Sequence, residues 1–284
     1  MNDFLNLLEN ILQVYEIGQS PQIFLVLAGL TFTRLLAFLQ IVPFFGGQAV
    51  PGRVKVATSL ALVVVAWPAL TATLAPGLKT LPFGPLGFVL LLIKETMLGF
   101  TLGFLASLIF EAIQMAGRII DNQRGSTMGE LFAPQLQTQV SETGQFKLQF
   151  AIVLFLAIGA HRLFITAMMD SFTLVPPMSY PNLQANGGQL SEFFIAFLGR
   201  IMNLSIRLAA PGIVALLMTE LLFGLINRVA PQINVFFLSL PVKMYIGTFV
   251  LLITLTRYQE EYIKGFGESI RAFEYFLRAI SRAQ

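Results

Sequence analysis

The sequence predicts an all-α integral membrane protein of helical hairpins, some broken or re-entrant, packed against other subunits. Three observations carry this expectation. Of 284 residues, 56% are hydrophobic and only 12% charged, about half the charged share of soluble domains, and the mean hydropathy is +0.75. Apolar windows long enough to cross a bilayer as helices recur along the chain. Prolines and ionisable residues fall inside those windows, and such groups persist at membrane depth only where they face protein or water.

The windows lie near 22–42, 54–75, 86–113, 148–170, 193–226 and 232–256. Before the first stand Asp3, Glu9 and Glu16 with no Lys or Arg, so no basic n-region marks a cleavable signal peptide. The joint from Pro43 to Pro51 leads through Arg53 and Lys55 into the second window. The third follows the joint Pro76 to Pro85 and carries Glu95, Gly99, Gly103, Ser107 and Glu111 at four-residue intervals. Gly99 and Gly103 form the small-residue spacing that lets helix backbones approach, and Glu95 and Glu111 then require partners on a neighbouring helix. The polar stretch 114–147 reads as a loop. The fourth window holds His161 and Arg162, and the joint Pro176 to Gly188 follows it.

The fifth window carries a polar stripe of Arg200, Asn203 and Arg207, then Pro211 and Glu220. The joint Asn227 to Pro231 separates it from the sixth, which contains Pro241 and Lys243. These prolines predict that the last two windows form the broken or re-entrant hairpin. The tail 257–284 reads as an amphipathic helix: Ile263, Phe266, Ile270, Phe273, Leu277 and Ile280 alternate three and four apart. Arg257, Lys264, Arg271 and Arg278 recur every seven residues beside that seam. Either a membrane surface or another subunit would cover it. No joint is long enough for a soluble domain, so 1–284 reads as one helical membrane domain.

Lys and Arg in the loops suggest orientation. The first 33 residues contain none, and neither do residues 163–199, so both read as outside. Arg53, Lys55, Arg118 and Arg124 mark inside loops, and the basic tail also reads as inside. Six simple crossings cannot satisfy all of these, so one window is expected not to span as a simple helix.

Catalytic chemistry has little to build on. Cysteine is absent and His161 is the single histidine, which leaves no thiolate metal set and no triad. No phosphate-binding glycine loop follows a strand, and a net charge of +3, scattered along the chain, does not suggest nucleic-acid binding. The expectation is a non-enzyme without cofactor or metal, with a small-solute or ion carrier as the alternative that the intramembrane charges suggest.

Two stretches resemble a known family. Gly117-Arg-Ile-Ile-Asp-Asn-Gln-Arg-Gly125, ending at Ala133-Pro134, resembles the G-x-x-I-D-x-Q-x-G block of the FliR/SctT (YscT, SpaR) family. Asn227-Arg-Val-Ala-Pro-Gln-Ile-Asn-Val-Phe236, followed by Leu240-Pro-Val-Lys243, resembles its N-R-x-A-P-Q-x-N-V-F and P-x-K signature. Pro43-Phe-Phe-Gly46, Val50-Pro51 and Gly159-Ala-His161 add weaker matches, in the family's order. Asp121-Asn-Gln-Arg-Gly125 and Phe236-Phe-Leu-Ser-Leu-Pro241 look closer to the virulence-type SctT branch than to flagellar FliR.

The resemblance implies a multi-pass subunit of a type III export gate in the bacterial inner membrane. It implies partners of the SctR and SctS (FliP and FliQ) type, a switch subunit of the SctU (FlhB) type, unfolded secreted proteins and membrane lipid. It also implies a plug or gating role for Gly117, Asp121, Asn122, Gln123, Arg124, Gly125, Met128 and Pro134. Inter-subunit or intramembrane polar contacts are expected from Glu95, Glu111, Arg200, Arg207, Glu220, Asn227, Arg228, Pro231, Gln232, Asn234 and Lys243.

Overall fold

The computed structural model describes residues 21–45, 47, 50–72, 84–125, 141–180 and 187–281. Seven α-helices and one 3₁₀ turn, with no strand, make up the described residues. They are α1 (Pro21–Ile41), the 3₁₀ turn Pro43–Phe45, α2 (Gly52–Ala72), α3 (Pro85–Arg124), α4 (Glu142–Ala157), α5 (Ala160–Leu174), α6 (Gly187–Val229) and α7 (Val235–Ser281). The protein is an all-α membrane protein. Four of these helices are long and apolar enough to cross a bilayer, α1, α3, α6 and α7, and the bent pair α4–α5 brings the number to five if it counts as one crossing.

The break lies elsewhere than expected. Neither Pro211 nor Pro241 interrupts its helix: α6 and α7 run through them for 43 and 47 residues. Pro211 deletes one backbone donor and one local bond, and the long apolar flanks on both sides hold the helix together across that gap. The fourth window is the one that breaks, at Ile158–Gly159, because Gly159 stands at φ +75°, where the left-handed backbone favours glycine. The tail beyond 257 is likewise no separate helix but the continuation of α7.

The chain packs as two compact units: Met1–Ser107, His161–Ser191 and Ile270–Gln284 form one, Leu108–Ala160 and Glu192–Ser269 the other. In the first unit α1 packs on α2. Gly99 and Gly103 of α3 lie against α1: a Cβ on Gly99 would stand 2.3 Å from the Arg34 carbonyl oxygen, and one on Gly103 3.0 Å from that of Phe38. The glycine spacing therefore joins two helices of the same chain. Phe273 of α7 meets Phe38 and Phe164 edge-on in this unit. In the second unit Phe266 packs on Phe110 and Phe155. The tail seam is thus largely buried within the chain, Phe266 and Phe273 against its own aromatic rings, and of the six seam residues only Ile263 is strongly exposed.

The intramembrane charges of the first unit also find partners within the chain. Arg34 is fully buried and spends all five of its donors. Its Nε and Nη2 pair with the Glu95 carboxylate. Nη1 reaches the Ser171 carbonyl at 2.8 Å and its hydroxyl at 3.1 Å, while Nη2 also reaches the Val175 carbonyl at 2.8 Å. Those carbonyls belong to the end of α5, where helix acceptors lack internal partners, so the guanidinium caps that helix. Lys94 pairs with Glu95 and donates to the carbonyls of Pro176, Pro177 and Ser179. Glu95, expected to need a partner on a neighbouring helix, finds its partners within the chain and is the centre of an internal network.

Candidate functional site

The second unit brings together the two sequence blocks. Gly117–Arg124, expected to be a loop, is the last part of α3, and only Gly125 leaves the helix, at φ +83°, with its N–H on the Asn122 carbonyl. Gly117 is not there to make a turn. A Cβ at that position would lie 2.2 Å from the Gly144 Cα, so two glycines let α3 and α4 touch backbone to backbone.

One helical turn further, two buried side chains fix the joint. Asp121 accepts from the Ser141 hydroxyl at 2.6 Å and from the Thr143 N–H at 2.9 Å, while Ser141 caps α4 by accepting from the Gly144 N–H. A carboxylate is favoured there because the first N–H groups of a helix are unpaired and carry its positive end. Arg124 pairs with Asp121 at 3.5 Å and donates to Thr143 Oγ1 at 3.0 Å and Thr248 Oγ1 at 3.1 Å. It lies so close to α7 that a Cβ on Gly247 would stand 2.1 Å from its Nε. Asp121 and Arg124 therefore lock α3 to α4 and α7.

The other residues of the same turn point elsewhere. Asn122 and Gln123 are exposed and, with Gly125, form one wall of an open cleft of about 760 Å³. That volume lies within the usual range for binding pockets, about 300–1,000 Å³. The opposite wall is the tip of the α6–α7 hairpin, which contributes Asn227, Gln232 and Asn234, with Phe223, Phe236 and Leu240 as its apolar part. Glu220 and Lys243 close the cleft along one side with an ion pair of 2.9 Å.

The hairpin tip explains much of the second block as helix punctuation. Pro231 follows the α6 end, where a residue without N–H stops a helix from continuing. Asn234 precedes α7 and accepts from the Phe237 N–H at 3.4 Å, an N-cap position that asparagine favours. Arg228 sits exposed in the last turn of α6, the negative end of that helix. The cleft presents five carboxamides and a neutralised ion pair. Such a surface exchanges neutral hydrogen bonds with amide groups, and no set of three or more His, Cys, Asp or Glu suited to a metal occurs among the described residues.

Of the remaining sequence-predicted residues, Glu111, Arg200 and Arg207 are exposed and lie away from the cleft. Met128 and Pro134 fall outside the described residues. The sequence reading missed the partners that make the joint: Ser141, Thr143, Gly144, Gly247 and Thr248. Only the Ser141-Glu-Thr N-cap pattern could have signalled one of them. It also missed Lys147, a buried ammonium on α4 that donates to the Leu208 carbonyl at 3.2 Å and lies 4.1 Å from the Tyr258 ring centroid.

The fold and the site define a multi-helix membrane protein with an amide-lined cleft at a hairpin tip. Its sequence relationships make that specific: the chain belongs to the family of bacterial export proteins, family 1, whose model matches residues 25–269. It is 35% identical to the Yop proteins translocation protein T of Yersinia pestis over 234 residues, 79% of this chain and 85% of the relative. It is 30% identical to the surface presentation of antigens protein SpaR of Salmonella typhimurium over 229 residues, 80% of this chain and 81% of the relative. The flagellar biosynthetic protein FliR of Aquifex aeolicus is 27% identical over 256 residues, 90% of this chain and 95% of the relative. This is an export-apparatus family, not an enzyme family, and the chain is a multi-pass membrane protein of it.

Proposed function

We propose that the chain is a type III export-gate subunit of the bacterial inner membrane, and that the cleft between the α3 end and the α6–α7 tip contacts the polypeptide in transit. The carrying observation is the split within one helical turn. Asp121 and Arg124 hold the frame, while Asn122 and Gln123 face the cleft opposite Gln232 and Asn234. Carboxamides bind any backbone amide without reading side chains, which suits an unfolded chain of arbitrary sequence. They also cost little to return to water, so a passing segment is not trapped. In this reading Gly125, Met128 and Pro134 belong to the adjoining plug, and subunits of the SctR, SctS and SctU type complete the gate. The higher identity to the translocation protein T than to flagellar FliR favours the virulence-type branch.

A photo-reactive residue at Gln123 or Gln232, with a secretion substrate stalled in the living cell, tests the reading. The expected product is an adduct with the stalled substrate. A stalled substrate that crosslinks to other gate subunits but never to either position would remove the cleft from the path.

A further inference from the structure

We propose that Gly224 sets the clearance of the cleft: the space over its bare Cα takes side chains of the polypeptide in transit, so this position limits how bulky a passing segment can be. The inference deepens the gate reading above and rests on it. Glu220, Phe223, Gly224 and Asn227 stand three and four apart along one face of α6, and all four line the cleft. Gly224 lies within that face, between the Glu220–Lys243 ion pair and the carboxamide of Asn227. Counted from Lys243 along the antiparallel α7, the residue level with it is Ser239. That residue also lines the cleft and spends its hydroxyl on the Phe236 carbonyl at 2.8 Å. Small residues thus stand on both helices at the same height, with larger ones on either side.

No neighbour requires glycine at position 224. Gly212, Gly247 and Gly265 in the same two helices are held to glycine by packing, since a Cβ on them would stand under 3.0 Å from Ile120, Arg124 and Ile109 respectively. A Cβ on Gly224 meets nothing within 4 Å. Nor does the backbone require it, because the residue lies inside α6, where alanine is favoured by about 1 kcal/mol. The open space therefore has no packing or conformational origin, and it faces the cleft.

The helix also sets a length. From Glu220 to Asn227 is about 10.5 Å along the axis, and an extended chain advances about 3.3 Å per residue. About three residues of extended polypeptide lie along this face at once, one of them over Gly224. A leucine there projects a branched side chain into the space that a bulky passing residue needs, while a segment of small residues still fits.

The test measures secretion from living cells of one substrate carrying either of two unstructured inserts: Gly and Ser only, or the same insert with Phe at every third position. Gly224→Leu is expected to lower export of the Phe-bearing form at least about tenfold relative to the Gly/Ser form, the scale on which a pocket discriminates by size. Gly224→Ala should give a smaller loss of the same sign. Gly199→Leu, at an equally open glycine of α6 that does not line the cleft, should leave the ratio unchanged. Both Gly224 variants are expected to co-purify with the export complex as the unaltered chain does; where Gly224→Leu does not, the Gly224→Ala ratio decides. An unchanged ratio would overturn the inference, as would loss of the complex in Gly224→Ala, which would make the glycine a packing site. Either result leaves the gate reading standing as long as a stalled substrate crosslinks at Gln123 or Gln232. Absence of adducts at both positions is a failure of the gate reading, and of the inference with it.

Discussion

Glu95 shows how much a single buried group holds in this protein. It is fully buried and is the only carboxylate against both Arg34 and Lys94 among the described residues. Glu95→Gln should therefore lower stability by about 3–5 kcal/mol, the usual cost of leaving a buried charge without its partner. Thermal unfolding in detergent of the chain co-produced and co-purified with its export partners reads this directly, and an unchanged midpoint would mean that the network contributes little. Gly117 makes the same point through space. Gly117→Ala puts a methyl group into the Gly144 backbone and should cost about 1–3 kcal/mol. Gly267→Ala meets nothing within 4 Å and should be neutral or slightly stabilising in the same assay.

Among the elements, the α4–α5 break is built around one residue. Gly159 at φ +75° has open space around it, so a side chain there is penalised by backbone strain alone. Gly159→Val should cost about 1–2 kcal/mol or more, whereas Gly159→Asn should be milder, because asparagine tolerates the left-handed region. Equal effects of the two would indicate that size, not backbone conformation, limits the site. The α6–α7 hairpin is built differently, with Pro231 ending one helix and Asn234 starting the next. Asn234→Ala should weaken the start of α7 by about 1 kcal/mol, visible as faster amide exchange in the first turn of α7.

For the molecule as a whole, the exposed apolar surface predicts dependence on partners. Half of the most apolar stretch of α1 is buried within the chain, against 22% for α6 and 17% for α7. Helices of 43 and 47 residues are about 64 and 70 Å long, twice what a bilayer covers. The chain produced alone should be degraded or aggregate, and co-production with its export partners should raise its steady-state level several-fold, as immunoblots of membrane fractions would show. Equal levels in both cases would point to lipid as sufficient cover.

Composition and hydropathy were enough to determine that the chain is helical and lives in a membrane, because lack of polar surface is a property of the residues themselves. The two blocks Gly117–Gly125 and Asn227–Phe236 were also legible, and they identified the family before any coordinates. What they could not show was direction. Prolines 211 and 241 looked like breaks, yet long apolar flanks carry the helix through them, while the actual break depends on the backbone angle of Gly159. The intervals of Gly99, Gly103 and Glu95 announced a close neighbour but not its identity, since a helix from the same chain and one from another subunit offer the same surface. The tail seam was equally ambiguous until Phe266 and Phe273 were seen against Phe110, Phe38 and Phe164. Membership of a fold and a solvent class follows from local composition and period; only tertiary structure decides which of two adjacent residues, Asp121 or Asn122, is buried in the frame and which faces the cleft, because that depends on helix rotation set by distant contacts.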